Sequence, residues 1–438
     1  MTSTTNTHEP TLRTTLLALS LLALAACSPV TNTQRAAMPA TAPITALQLA
    51  SAEEVGMDSS RLDRITQAMQ GFVDEGLLAG VVTMAARDNK IVHFESVGYR
   101  DIEAQSPMTN DAIFRIYSMT KPITGVAMMI LYEEGKFKLS DPVEKYIPEF
   151  TDLQVYAGED DNGKPVLEPQ NHKMTVRELM SHSGGLSYGL FSQSKVDDMY
   201  NEANVLDADS TLQDMIDKLG AIPLRQQPGS MWHYSVSVDV QGYLVEVLSG
   251  QTFDVFLQER IFGPLGMVDT SFYVAADKAD RLARQYRPGN DGELTRTDRG
   301  AFLIKPKFFS GGGGLTSTAG DYMKFAQMHL NGGSLNGTRI LSEEAVQIMR
   351  SNQLPDAVEN IGQLYPGNVF GVDFAIVNDS ESYNGAPVGT HWWWGIAGSW
   401  FWIDPVENVV FVGMIQNDDI LYSLQVHAAM RELIYNPL

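Results

Sequence analysis

The chain of 438 residues is 44% hydrophobic and 19% charged, a composition that excludes intrinsic disorder, collagen and coiled coil. Its 31 basic and 53 acidic residues give a formal charge of −22, which disfavours nucleic acid and anionic lipid surfaces as partners. The single cysteine, Cys27, excludes an intramolecular disulfide and a cysteine-rich metal site.

An apolar run over residues 16–26 precedes Cys27 and has the length of an export signal rather than of a membrane span. Its end resembles the bacterial lipobox, in which the cysteine is lipidated and becomes the first mature residue: Leu24-Ala25-Ala26-Cys27. The resemblance implies a lipoprotein signal peptide over residues 1–26 and, with Ser28 next, a periplasm-facing anchor in the outer membrane. A plain secretory signal or a buried free cysteine are the alternatives.

Residues 27–50 are rich in Pro, Thr and Ala with hardly a charge, which is typical of a flexible tether, so we expect folding to begin near Ser51. From Asp58, apolar residues at helical spacing predict an amphipathic helix that ends at Gly76. Two β-rich runs then flank Asp88-Asn89 and predict a hairpin of strands 81–85 and 91–97.

The end of the chain repeats this pattern. It predicts strands over residues 400–403 and 409–415 around a turn at Asp404-Pro405, then a helix over 421–434. The middle, residues 120–272, is mostly helical in pattern. Sheet-forming segments at both ends around a helical middle predict an α+β protein with a helical insertion.

A serine and a lysine three residues apart, Ser118 and Lys121, open a long apolar helix that ends at Gly135. Positions i and i+3 share a helix face, so the ammonium can reach the hydroxyl, and the helix N-terminus favours negative charge there. This is the geometry of an activated nucleophile. A second match, Ser192 and Lys195, has no apolar helix behind it and is interpreted as a solvated loop.

The segment around Ser118, residues 114–124, resembles the nucleophile segment of the β-lactamase-related serine hydrolases. These include class C β-lactamases, D-alanyl-D-alanine carboxypeptidases and the family VIII esterases. The resemblance continues through further segments: residues 175–186, 228–235, 264–267 and 312–318.

The resemblance implies a β-lactamase/transpeptidase-like fold, with an antiparallel sheet flanked by terminal helices and a mostly helical second region. The sheet domain would comprise residues 51–112 and 290–438, and the helical domain residues 113–289. We expect the active site at their junction.

The family's second motif is Tyr234-Ser235-Val236 here, with Val in place of the usual Asn, and Trp393-Trp394-Gly395 stands where the third usually has Lys-Thr-Gly. By resemblance, Ser118 is the nucleophile, Lys121 and Tyr234 are the acid/base pair, and the backbone N–H groups of Ser118 and Ile396 form the oxyanion hole. A phenol near a lysine ammonium can have a lowered pKa, which favours Tyr234 as a base. Residues expected beside the substrate are Trp393, Gly395 and Tyr188.

Both departures remove polar groups that would hold a substrate carboxylate. The expected activity is therefore that of a carboxylesterase on uncharged short-chain or aryl esters. A β-lactamase or D-alanyl-D-alanine carboxypeptidase is the alternative enzyme, with a β-lactam-like substrate. A catalytically idle envelope lipoprotein that binds a peptidoglycan or peptide ligand is the alternative of another class. The eight histidines form no His-x-x-x-His pair, so no metal or cofactor is expected. We expect contact with a membrane only through a lipid anchor on Cys27.

Two other motifs imitate catalytic or ligand-binding loops. Gly185-Leu186-Ser187-Tyr188-Gly189 matches the nucleophile elbow, but a capping box at Thr175 and Glu178 predicts a helix where an elbow needs a strand. The glycine run 311–314 lacks the Gly-Lys-Ser/Thr of a phosphate loop and predicts a backbone turn of close approach.

Overall fold

One large, mostly antiparallel sheet organises the chain. The computed structural model describes residues 47–289, 293–298 and 302–435. The strands in these residues are β1 (Gln48–Leu49), β2 (Gly80–Arg87), β3 (Lys90–Asp101), β4 (Ser106–Pro107), β5 (Phe114–Arg115), β6 (Val155–Glu159), β7 (Pro165–Glu168), β8 (Tyr286–Pro288), β9 (Leu294–Arg296), β10 (Thr316–Ser317), β11 (Ser334–Leu335), β12 (Thr338–Arg339), β13 (Asn368–Phe370), β14 (Ala375–Val377), β15 (His391–Trp394), β16 (Gly398–Asp404) and β17 (Val409–Gln416). Nine of them form the large sheet, in the order β1-β3-β2-β17-β16-β15-β14-β13 with β4 on β3.

Helices pack on this sheet and fill the middle of the chain. The α-helices of the described residues are α1 (Ser59–Asp74), α2 (Thr120–Glu133), α3 (Val176–Met180), α4 (Lys195–Glu202), α5 (Leu212–Leu219), α6 (Ser237–Ser249), α7 (Phe253–Leu257), α8 (Gly263–Leu265), α9 (Ala319–Leu330), α10 (Glu343–Met349) and α11 (Ile420–Tyr435). Helices α1 and α11 contact each other and the sheet, and α9 contacts β2, β16 and β17. Every residue of β17 is buried, so helices cover both faces of the sheet centre. None of the helices in the described residues is long and apolar enough to cross a bilayer.

The predicted terminal elements are confirmed. The Asp58 side chain caps α1 by accepting a hydrogen bond from the Ser60 N–H, and Gly76 follows that helix with φ of 70°. Asp88 and Asn89 have φ of 50° and 64°, the two positive values that a tight hairpin turn between β2 and β3 requires. The predicted C-terminal strands and helix correspond to β16, β17 and α11.

Two boundaries differ from the predictions. Gln48 and Leu49 form an edge strand parallel to β3, pairing with Lys90 and Ile91, so the predicted start of folding at Ser51 is too late. Residues of the tether and signal predictions that precede residue 47, Cys27 among them, lie outside the described residues. The helical middle is confirmed, but it also contains the hairpin of β6 and β7, which the helical pattern concealed.

The division into a sheet domain and a helical domain stays a prediction, because the described residues belong to one compact unit by their internal contacts. A short antiparallel pair, β5 with β10, joins the segment before Ser118 to the segment after the glycine run. Arg115 of β5 is buried and forms an ion pair of 3.2 Å with Asp298. The backbone that leads to Ser118 is therefore fixed before α2 begins.

Candidate active site

Ser118 lies in a short 3₁₀ turn, Tyr117–Met119, directly before α2. Tyr117 has φ of 43°, a left-handed conformation that costs about 1–3 kcal/mol for a bulky residue and is found mainly at functional sites. Its hydroxyl donates a hydrogen bond of 2.9 Å to the Gln285 side chain. The strained turn presents Ser118 at the N-terminus of a helix whose next residues, Thr120 and Lys121, are buried.

The structure brings Ser118, Lys121 and Tyr234 together. The Lys121 ammonium lies 3.2 Å from Ser118 Oγ and donates a second hydrogen bond, of 2.6 Å, to the Gly312 carbonyl oxygen. The Tyr234 hydroxyl donates to Ser118 Oγ over 2.8 Å. Ser118 Oγ is thus contacted by a nitrogen that can take its proton and by a phenol that can donate one.

Burial separates the proton affinities of the two partners of Ser118. Lys121 is fully buried, and this desolvation lowers its pKa from 10.5 to about 8, although the charges of Asp239 and Asp373 oppose the shift. Burial of Tyr234 raises the pKa of its phenol, in spite of its hydrogen bonds to Ser118 and Trp393. The prediction of a lowered tyrosine pKa is wrong in direction, because the loss of solvent outweighs the hydrogen bonds that lower the pKa. Lys121 is therefore the group suited to accept a proton, and Tyr234 remains a neutral donor.

The predicted oxyanion-hole residue Ile396 lies in the turn between β15 and β16, and with Ser118 it lines one cleft. Gly395 explains how this turn comes so near: a Cβ at that position would lie 2.3 Å from the carbonyl oxygen of Ile116. A side chain there would push the turn away from the Ser118 segment. The backbone N–H groups of Ser118 and Ile396 as an oxyanion hole stay a prediction.

The cleft at Ser118 has a volume of about 160 Å³ and is walled mainly by aromatic side chains. Its lining residues are Ser118, Phe191, Trp232, Tyr234, Leu364, Tyr365, Trp393, Trp394, Ile396 and Ile420. Trp393 is buried at its floor, and its indole N–H lies 3.4 Å from the Tyr234 hydroxyl oxygen. The other tryptophans of this region, Trp392, Trp400 and Trp402, pack in the core.

Tyr188, predicted beside the substrate, lies behind the cleft wall. Its ring stacks on Tyr234 at a centroid distance of 5.4 Å, and the Lys121 ammonium lies 5.5 Å from its centre. Its ring also lies 5.1 Å from the ring of Phe191, which lines the cleft. Its role in substrate binding stays a prediction.

Exposed apolar side chains surround the mouth of the cleft, and we call this set the apolar rim. Its members, all of which line the cleft, and their exposed fractions are Phe191 (49%), Leu364 (81%), Ile396 (39%) and Ile420 (39%). Single exposed apolar residues are common, but a cluster that continues into a cleft indicates a binding surface. Sequence reasoning missed Leu364 and Ile420, which lie in regions with no family motif.

Buried polar residues around Lys121 were also missed. Asp239 and Asp373 are both fully buried near the lysine. The His182 ring lies 5.0 Å from the Tyr234 ring at a tilt of 44°, and its Nδ1 lies 3.0 Å from the Ser235 hydroxyl. An acidic residue between two valines in the first turn of α6 was the one signal in the sequence for Asp239.

The two rival serines have other partners. Ser187 is buried and contacts Asp197 and, over 3.2 Å, His233 Nε2, so the carboxylate contacts the serine rather than the histidine. The predicted solvated loop is present over residues 192–194, which are partly or fully exposed, and the exposed Lys195 is the first residue of α4. The hydroxyls of Ser192 and Ser194 both donate to the same Asp197.

Comparison with known proteins identifies the family of this chain. A family model described as Beta-lactamase matches residues 65–426. The protein Rv1367c of Mycobacterium tuberculosis is 34% identical over 367 residues, which cover 81% of this chain and 90% of that protein. Esterase EstB of Burkholderia gladioli is 30% identical over 369 residues, covering 78% and 86%. Lovastatin esterase of Penicillium rubens is 27% identical over 379 residues, covering 79% and 91%.

Solved structures agree with the predicted fold. EstCE1, described as a hydrolase with promiscuous acyltransferase activity, matches with a TM-score of 0.74 at 26% identity, over 86% of this chain and 99% of that one. A mutant of simvastatin synthase from Aspergillus terreus matches with a TM-score of 0.74 at 25% identity, over 88% and 97%. A penicillin-binding protein homologue from Pyrococcus abyssi has a TM-score of 0.62 at 22% identity, over 82% and 74%. The β-lactamase/transpeptidase-like α+β fold is confirmed.

The lowered pKa of Lys121 can be measured directly. We expect the ¹³Cε signal of Lys121, assigned by its loss in Lys121→Met, to titrate with a midpoint near pH 8 rather than 10.5, because burial disfavours the ammonium. A midpoint above pH 10 would contradict the electrostatic description of this site.

Proposed function

The chain belongs to the beta-lactamase family of serine hydrolases, and on that premise we propose that it hydrolyses uncharged carboxylic esters through an acyl-enzyme on Ser118. Relatives named as esterases at 30% and 27% identity support this choice within the family. Ser118 is the proposed nucleophile, Lys121 the proton acceptor and Tyr234 the proton donor.

In the proposed reaction, the neutral Lys121 amine takes the Ser118 hydroxyl proton while Oγ forms a bond to the ester carbonyl carbon. The backbone N–H groups of Ser118 and Ile396 stabilise the oxygen that becomes negative. The bond to the alcohol oxygen then breaks, and that oxygen takes the Tyr234 hydroxyl proton, which the Lys121 ammonium replaces. Water attacks the acyl-enzyme by the same route, which releases the carboxylic acid and restores the Ser118 hydroxyl.

One observation carries the choice of an ester over a β-lactam or a peptide carboxylate. Within the part of the chain that the structure describes, no charged side chain lines the cleft at Ser118. A carboxylate beside the scissile bond would lose its hydration there without a cationic partner, which is strongly unfavourable. An uncharged acyl or aryl group loses only apolar hydration, which is favourable.

The size of the cleft and the apolar rim indicate how the two halves of a substrate are held. A volume of about 160 Å³ is below the roughly 300–1,000 Å³ of a pocket for a drug-sized ligand, so it encloses one short or aryl group. The other half must leave the cleft across Leu364, Ile396 or Ile420. We therefore propose esters in which one half is small and the other is lipophilic.

We also propose that the enzyme is exported and held at the periplasmic face of the outer membrane by lipid on Cys27, without nucleic-acid partners. The lipobox-like residues 24–27 and the net charge of −22 support this proposal. Such an anchor would keep the apolar rim close to lipid-dissolved esters.

Replacement of the nucleophile provides the test of the reaction. We expect Ser118→Ala to lose covalent labelling by a fluorophosphonate, measured as intact mass, and to lower aryl-ester turnover at least about a thousandfold, because the acyl-enzyme cannot form. Ser187→Ala, the matched control, should keep both. Labelling that survives in Ser118→Ala, or a preference for a chromogenic cephalosporin or a D-alanyl-D-alanine peptide over aryl esters, would overturn the proposal.

An acidic substitution on the apolar rim should reduce the gain in kcat/KM that a longer substrate brings. A fully buried methylene is worth roughly 0.8 kcal/mol, so we expect kcat/KM to rise about twofold per half-buried methylene in an acyl series of p-nitrophenyl esters or in an alkyl series of acetates. Leu364→Asp and Ile420→Asp should flatten that rise, while Val268→Asp, a control 73% exposed outside the cleft, should not. A flat wild-type profile in both series would exclude a lipophilic half on the rim.

Lipidation is tested on the full-length chain in a Gram-negative host. We expect radiolabelled palmitate to enter the protein, and Cys27→Ser to abolish that label and release the enzyme from the membrane fraction. Unchanged membrane attachment of Cys27→Ser would contradict the anchor.

A further inference from the structure

Lys121 is held by a loop that is itself held by a buried carboxylate. The lysine donates its shortest hydrogen bond to the Gly312 carbonyl oxygen, at 2.6 Å. Asp239 Oδ1 accepts hydrogen bonds from the Gly312 N–H at 3.1 Å and from the Ser310 hydroxyl at 2.5 Å. Gly312 therefore links the two side chains: its N–H binds the Asp239 carboxylate, and its carbonyl oxygen binds the Lys121 ammonium.

The glycine run 311–314 is shaped to fit this carboxylate. A Cβ at Gly312 would lie 2.5 Å from Asp239 Oδ2, and a Cβ at Gly311 would lie 2.4 Å from the Val238 carbonyl oxygen. From the opposite side, the Thr124 hydroxyl donates to the Gly311 carbonyl oxygen over 2.8 Å. Helices α2 and α6 thus clamp the loop between them, which accounts for the turn of close approach that the sequence predicts.

Several ionisable groups face Lys121 from the elements packed around it. Asp239 lies on α6 and Asp373 lies between β13 and β14, while the rings of Tyr188 and Tyr234 lie 5.5 and 4.6 Å from the ammonium. His182 is buried nearby and its pKa is lowered well below 6.5, first by desolvation and then by the charge of Lys121. The two aspartates are the only acidic groups of the described residues that act on the lysine pKa.

The two aspartates differ in what they touch. Asp373 Oδ1 accepts from the Gln241 side chain over 3.1 Å and Asp373 packs against Gly125, so it can act on the lysine only through its charge. Among the described residues, the Oδ2 atoms of both aspartates are buried without a hydrogen-bond partner, so the distinguishing feature of Asp239 is that its Oδ1 anchors the loop. A buried oxygen without a partner is costly to keep, and its proximity to a buried cation offsets that cost.

We propose that Asp239 is the positioning residue for Lys121: its carboxylate fixes the 310–312 loop, so that the Gly312 carbonyl aims the amine at Ser118, and its negative charge sets the pH range in which Lys121 accepts the Ser118 proton. The inference rests on the proposed role of Lys121 as proton acceptor. Asp239 contacts neither the substrate cleft nor Ser118.

The test compares two variants of the full enzyme by the rate at which a fluorophosphonate labels Ser118 between pH 5 and 10. Asp239→Asn keeps an oxygen for the loop but removes the charge. Loss of a neighbouring negative charge disfavours the ammonium, so the midpoint at which labelling rises with pH should move down by roughly 1 unit. Ser310→Ala keeps the charge but loosens the loop, so labelling at high pH should slow severalfold without a change of midpoint.

Asp404→Asn is the matched control, because Asp404 is equally buried but accepts hydrogen bonds from the N–H groups of Val406 and Glu407 at the far end of β16. It should leave the labelling profile unchanged. An Asp239→Asn midpoint within about 0.3 unit of the wild type, or a wild-type rate in Ser310→Ala, would overturn the positioning role, since a merely structural aspartate changes stability and not the midpoint. Failure of the wild type to label at Ser118 would instead show that the proposed function itself is wrong.

Discussion

The site depends on the burial of one ammonium group. Lys121 is completely withdrawn from solvent at the start of α2, and a buried cation is unstable unless neighbouring groups replace the water it has lost. The Gly312 carbonyl and the Ser118 hydroxyl do so by hydrogen bonding, and Asp239 and Asp373 do so by charge. These groups replace the lost hydration only in part, so Lys121 loses its proton near neutral pH. The neutral amine can then accept the proton of Ser118.

The substrate side of Ser118 has the opposite character. The groups that handle protons lie behind the serine, and Trp393 and Tyr365 in front of it offer flat apolar faces. Tyr234 belongs to both sides, since its hydroxyl donates to Ser118 while its ring lines the cleft. Chemistry and specificity are therefore separable: proton affinities are set inside the protein, and the choice of an uncharged ester is set by the walls.

Local signals predicted the ends of the chain well. Capping by Asp58 and a turn at Asp88-Asn89 depend on neighbours in the sequence, so the helix and hairpin there could be predicted from the residues alone. The approach of Tyr234 to Ser118 came only from the family resemblance, because no local pattern joins residues so far apart. The direction of its pKa shift was missed, since burial decides it and a sequence does not show burial. Asp239 was missed because its partner, the glycine run, is distant in the chain.

The acyl-enzyme site at Ser118 is tested most directly by a crystal structure of the protein after reaction with an alkyl fluorophosphonate. We expect phosphorus bonded to Ser118 Oγ, the phosphonyl oxygen within hydrogen-bond distance of the Ser118 and Ile396 backbone nitrogens, and Lys121 Nζ still hydrogen-bonded to the Gly312 carbonyl oxygen. The alkyl chain should lie along Leu364 and the apolar rim. An adduct on another serine, or a phosphonyl oxygen directed away from Ile396, would contradict the account.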